Sequence, residues 1–145
     1  MRGLIQRVSR AAVEVNGEVV GAIDRGILLL LGIEASDGDA QSSKLMDKVL
    51  NYRIFPDEGG RMNLSVKDIA GGVLVVSQFT LVADTGKGLR PGFSSAAKPD
   101  QAARVYESFV AKLQAVHDDV ATGIFAADMQ VSLCNDGPVT FLLEV

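Results

Sequence analysis

The 145 residues predict an α+β domain with a largely antiparallel sheet. Three observations lead there. Apolar residues alternate at a period of two in several stretches, an Asn-Gly pair sits between two of them, and two other stretches repeat their apolar residues at helical spacing. The length suits one core, and no repeat, low-complexity segment or linker interrupts it, so residues 1–145 read as a single domain.

The elements follow in order. Val13-Glu14-Val15-Asn16-Gly17-Glu18-Val19-Val20 predicts a hairpin, because Asn and Gly tolerate the positive φ of a tight turn. Asp24-Arg25-Gly26 turns the chain again, and Ile27 to Ile33 reads as a strand buried on both faces. Three strands therefore open the chain. Over residues 37–52, Leu45, Met46, Val49 and Leu50 share one helical face. Pro56 and Gly59-Gly60 break that pattern. Val73 to Val76 is a second buried strand, expected to run on into Ser77-Gln78-Phe79-Thr80-Leu81. Residues 84–100 show neither period, and a loop of that length in a compact domain is usually functional or disordered. Pro99 and Asp100 suit the start of a second helix, in which Ala102, Val105, Tyr106, Phe109, Val110 and Leu113 keep one face. Met129, Val131 and Leu133 alternate, as do Val139, Phe141, Leu143 and Val145. Between them Asn135-Asp136-Gly137-Pro138 predicts a hairpin turn. The sum is six or seven strands and two helices.

Composition narrows the function. The formal net charge is −4 with a pI near 4.9, which argues against coating nucleic acid by charge alone. A lone Cys134 permits no internal disulfide and fits a reducing, cytoplasmic setting. The opening MRGLIQRVSR lacks the apolar core of a signal peptide, and Ile27 to Leu31 is too short an apolar run to span a membrane. No metal or cofactor is expected: one cysteine and one histidine cannot form a Cys/His zinc site, and no phosphate-loop, dinucleotide or GxSxG motif occurs. His117 reads as a structural residue near the end of the second helix, because nothing beside it resembles a nucleophile.

Two stretches remain for chemistry. Ser77-Gln78-Phe79-Thr80 places polar groups at the end of a buried strand, where backbone N–H groups and Gln78 are candidates to stabilise an oxyanion. The alternatives are a solvent-facing strand end, or Thr80 as a nucleophile with no evident base. Lys87, Arg90 and Lys98 make the long loop locally positive, as for phosphate contact, although an ordinary solvated loop fits the composition too.

The motifs Ser77-Gln78-Phe79-Thr80-Leu81 and Asn135-Asp136-Gly137-Pro138-Val139-Thr140 resemble those of the D-aminoacyl-tRNA deacylases, also called the D-Tyr-tRNA deacylase family. Met1-Arg2, Ile5 to Val8, Arg53-Ile54-Phe55, Met62 to Ser65, Lys87-Gly88, Arg90-Pro91, Phe93, Phe125 and Ala127-Asp128-Met129 extend the resemblance along essentially the whole chain. The resemblance implies a barrel-like core with two helices outside and a homodimer with active sites at the subunit interface. It also implies hydrolysis of the ester joining a D-amino acid, or mischarged glycine, to the 3′ end of tRNA. Gln78, Phe79 and Thr80 then carry catalysis. Ser77, Ala102, Phe125, Met129, Gly137 and Pro138 bind substrate, and Lys87 and Arg90 meet tRNA. The Gly137-Pro138 bond is implied to be cis and to enter the partner's site, where it rejects L-residues. Two other readings stay open: a non-catalytic module that binds RNA ends, and a small-ester hydrolase using Thr80.

Overall fold

The computed structural model describes residues 1–86 and 88–145. Eight strands and two helices follow in the order β1 (Arg2–Val15), β2 (Glu18–Ile23), β3 (Gly26–Gly32), α1 (Asp39–Asn51), β4 (Phe55–Pro56), β5 (Met62–Leu64), β6 (Gly72–Ser77), α2 (Pro99–Gln114), β7 (Val120–Thr122) and β8 (Gln130–Glu144). A short 3-10 helix, Phe79–Val82, follows β6. The α+β expectation holds.

The long first strand organises the sheet. One edge of β1 pairs with β3 through Arg2 to Val8 and with β2 through Ala11 to Val15, while its other edge carries β8. Asn16 and Gly17 both have positive φ (52° and 81°), which joins β1 to β2 by the tight turn the sequence predicts. The sheet continues from β3 through β6 to β7, and both of those pairings are parallel, a feature the alternation alone did not reveal. The sheet then curls back on itself. β2 and β7 approach so closely that a Cβ at Gly21 would run into the Thr122 carbonyl, which leaves a nearly closed barrel.

Closure explains the continuous apolar runs of β3 and β6. Leu28, Leu74 and Val76 point into the barrel with Val8, Val13 and Ile23. Ile27, Leu29, Leu31, Val73 and Val75 face outward and are covered by Leu45, Val49 and Leu50 of α1 and Tyr106, Phe109 and Leu113 of α2. Each fully buried Leu or Ile side chain stabilises the fold by about 1.5–3 kcal/mol, and this two-sided burial is the main source of stability. Among the described residues no helix is long and apolar enough to cross a membrane.

Two local expectations are corrected. The strand expected to extend to Leu81 stops at Ser77, where the backbone turns into the 3-10 helix. The expected hairpin at Asn135 to Pro138 is not a hairpin. β8 runs through it in one direction and stays on β1 at both ends, with Val8 opposite Asn135 and Gln6 opposite Thr140. Asp136, Gly137, Pro138 and Val139 therefore stand against Arg7 alone, as a wide bulge. Pro138 has no N–H, so the ladder loses no donor by letting it loop out.

Candidate active site

A largely apolar pocket of about 730 Å3 opens where β3 and β6 end. Leu31, Ile33 and Val76 line it together with Phe125, Met129 and Val131, as do Ala102 of α2 and Ser77, Gln78 and Phe79. Six of the residues named from sequence thus converge on one cavity. Tyr106 supports it from behind. Its ring lies 5.6 Å from that of Phe125, and its hydroxyl donates to the Val75 carbonyl at 3.0 Å. Burial pushes the Tyr106 pKa up to about 12, so the hydroxyl stays a donor at neutral pH.

The backbone after β6 leaves two N–H groups without a backbone acceptor among the described residues. Gln78 N–H is used by Leu31 O at 2.8 Å, which hangs the segment from the end of β3. The 3-10 helix begins its own bonding only at Leu81 N–H, which donates to Gln78 O at 3.2 Å. Phe79 and Thr80 N–H precede that first bond, and among the described residues neither has a backbone acceptor. Two consecutive N–H groups without a backbone acceptor, the first on a residue that lines the pocket, can stabilise a developing oxyanion.

Thr80 is not set up as a nucleophile. It is exposed and does not line the pocket. Its hydroxyl oxygen accepts a hydrogen bond from the Gln78 side-chain amide, a donor that cannot remove a proton. The amide instead ties the turn together. His117 is also excluded: its Nε2 sits 2.8 Å from Gly71 O, and its backbone N–H donates to Leu113 O just beyond α2. Among the described residues no group of three or more His, Cys, Asp or Glu side chains could hold a metal ion.

Gly137 and Pro138 are not part of this pocket. Both are exposed on the bulge of β8, and their peptide bond is cis. The bulge is firmly held. Asn135 Oδ1 accepts the Val139 N–H at 2.9 Å, while Asn135 Nδ2 donates to Thr140 Oγ1 at 2.9 Å. Arg7 donates through Nε to the Asp136 carbonyl at 2.8 Å and through a terminal nitrogen to the Ile54 carbonyl at 2.6 Å. Gly137 has φ 142°, and a Cβ there would lie 2.6 Å from Val139 Cγ2 and 3.2 Å from the Arg7 guanidinium. Glycine is required by that geometry.

The loop after the 3-10 helix is ordered against the end of β3. Ser95 Oγ donates to Val82 O, and Ala97 N–H to Ile33 O. Arg90 is exposed on this loop and does not line the pocket, and Lys87 lies outside the described residues. Phe93, marked in the sequence only within the family resemblance, and Lys98, marked only as part of a positive loop, both line the cavity. Phe93 packs on Phe79 with ring centroids 5.2 Å apart, and Phe79 is 63% exposed, so two aromatic faces stand at the mouth. An aperiodic loop gives no signal of which of its residues fold back.

A nearly closed barrel thus carries, where β3 and β6 end, a largely apolar pocket edged by backbone N–H groups that have no backbone acceptor among the described residues. The model of the D-Tyr-tRNA(Tyr) deacylase family matches residues 4–144, and the chain belongs to that family. It is 63% identical over 145 residues to a D-aminoacyl-tRNA deacylase of Cellvibrio japonicus, covering 100% of this chain and 99% of that one. It is also 63% identical to one of Pseudoalteromonas translucida, with both chains covered completely. Among solved structures, the c-Myc DNA unwinding element binding protein superposes with a TM-score of 0.96 at 42% identity, covering 100% of this chain and 99% of that one. A probable eukaryotic D-amino acid tRNA deacylase shares the fold, with a TM-score of 0.80 at 16% identity, covering 99% of this chain and 98% of that chain.

Proposed function

We propose that this protein hydrolyses the ester of D-aminoacyl-tRNA, releasing the D-amino acid and free tRNA, and that it spares L-aminoacyl-tRNA. The observation that carries this reading is the pair of N–H groups of Phe79 and Thr80, without a backbone acceptor among the described residues, next to an apolar pocket of about 730 Å3 that Phe79 lines, in a member of this family. An aminoacyl ester is already activated, so the protein needs to supply orientation and oxyanion stabilisation rather than a strong nucleophile. The hydroxyl next to the ester on the terminal ribose positions the attacking water. The two N–H groups stabilise the tetrahedral oxyanion, and Gln78 braces the turn that presents them. The Phe79–Phe93 pair offers a stacking surface for the terminal adenine, the usual way in which a single-stranded RNA end is read.

Chiral selection falls to Gly137-Pro138. In one protomer this unit is exposed and outside the pocket, which suits a homodimer in which each protomer's bulge enters its partner's site. A backbone surface facing the α-carbon excludes an L side chain by clash and passes glycine, which has none. This chemistry belongs in the cytoplasm, where charged tRNA is used.

The test compares D-tyrosyl-tRNA ending in adenosine with the same ester on a 2′-deoxyadenosine end. Turnover of the first, with a large loss on the second, is expected. Equal turnover would move the chemistry to Thr80, and binding of D-tyrosyl-tRNA without turnover would make the protein an RNA-end binding module.

A further inference from the structure

Among the described residues, Lys98 is the only charged side chain that lines the pocket. It is exposed, and among the described residues it has no carboxylate partner within salt-bridge distance. Its backbone is nevertheless fixed. Lys98 caps α2, its carbonyl accepts Ala102 N–H at 2.8 Å, and its neighbour Ala97 donates to Ile33 O at 3.1 Å. Gln78 hangs from Leu31 O on the same chain end. The two rims of the pocket are therefore anchored two residues apart along one extended segment, roughly 7 Å. The backbone that carries Lys98 is thus anchored close to the backbone that leads into Phe79 and Thr80, and the Lys98 side chain lines the pocket between them.

On the deacylase reading, we infer that Lys98 binds the 5′-phosphate of the terminal nucleotide of the substrate and is a specificity-determining residue for it. With the ester carbonyl at the Phe79 and Thr80 N–H groups, the ribose spans the gap and its phosphate comes next, on the Lys98 side. The α-ammonium of the aminoacyl group lies beyond the ester on the other side, away from the like charge. A lysine on a flexible stem suits a phosphate, which it meets as a point charge without demanding one geometry. Local cations of this kind let an acidic chain of net charge −4 engage an RNA end without a basic face.

The experiment uses 3′-O-D-tyrosyl-adenosine and its 5′-monophosphate as paired substrates, with D-tyrosyl-tRNA as reference. In the unaltered protein the phosphate is expected to lower KM about tenfold with kcat little changed, the size of one charge-assisted contact. In Lys98→Gln that gain should fall below about twofold, and Lys98→Arg should restore most of it. A phosphate gain that is equal in Lys98→Gln and the unaltered protein overturns the assignment. So does turnover of D-tyrosyl-tRNA with neither short ester hydrolysed, which would place the binding energy beyond the terminal nucleotide. If D-tyrosyl-tRNA is not hydrolysed either, the deacylase reading itself falls and the role of Lys98 falls with it.

Discussion

Replacing Gly137 by Ala puts a methyl group where the bulge has no room. It would lie 2.6 Å from Val139 Cγ2 and 3.0 Å from Val139 N, at a φ of 142° that L-residues rarely adopt. Val139 is buried and cannot swing its side chain into solvent. Its N–H is bound to Asn135 Oδ1 at 2.9 Å, so moving the backbone breaks that bond. The unfavourable φ costs about 1–3 kcal/mol, and the lost hydrogen bond adds about 1 kcal/mol. The sum, about 2–4 kcal/mol, is below the stability of an ordinary domain, so the variant should fold with a Tm lower by roughly 10 °C. The bulge is also the element assigned to chiral selection, so the opened loop should erode the preference for D- over L-tyrosyl-tRNA at temperatures where the variant is folded. Scanning calorimetry and parallel deacylation of the two substrates measure both effects. A Tm within about 2 °C of the unaltered protein would refute the steric argument. An unchanged preference in a clearly destabilised variant would refute the role of the bulge in selection.

Other perturbations separate the remaining claims. Thr80→Ala deletes a hydroxyl but no backbone donor, so kcat should stay within about tenfold, and a loss of several orders of magnitude would restore Thr80 as the nucleophile. Arg90→Glu should raise KM for D-tyrosyl-tRNA and make its growth with salt shallower while kcat holds; an unchanged KM would take this loop off the tRNA path. Tyr106 tests the pocket's support through pH. Its pKa is raised to about 12 in the fold against 10.0 unfolded, so its contribution is complete below pH 10 and is lost as pH rises toward 12. Denaturant unfolding across that range should show a fall of the order of 1–2 kcal/mol that Tyr106→Phe removes, and equal slopes in the two proteins would contradict the assignment.

Much of the fold was legible because the physics that shapes it is local. Asn16-Gly17 needs positive φ and obtained it, and the helical faces around Leu45 and Phe109 were visible as spacing. The runs Ile27 to Leu31 and Val73 to Val76 announced two-sided burial. They could not say that their strands pair in parallel, since that depends on the α1 crossover returning the chain to the same edge. The Asp136-Gly137-Pro138 segment misled for an instructive reason. The same residues that make a hairpin turn also make a bulge, and the bulge depends on pairing with β1 and on Arg7, about 130 positions earlier. The site divides in the same way. Ser77 to Phe79 were readable as polar residues ending an apolar strand, but Lys98 joined them only through Ala97 and the end of β3.

The most direct test of the account is the release of amino acid from D-tyrosyl-tRNA and L-tyrosyl-tRNA by the purified protein, in parallel and with excess chelator present. The account predicts rapid loss of the D-ester alone. Equal loss of both would keep the hydrolase and contradict chiral selection by the Gly137-Pro138 backbone.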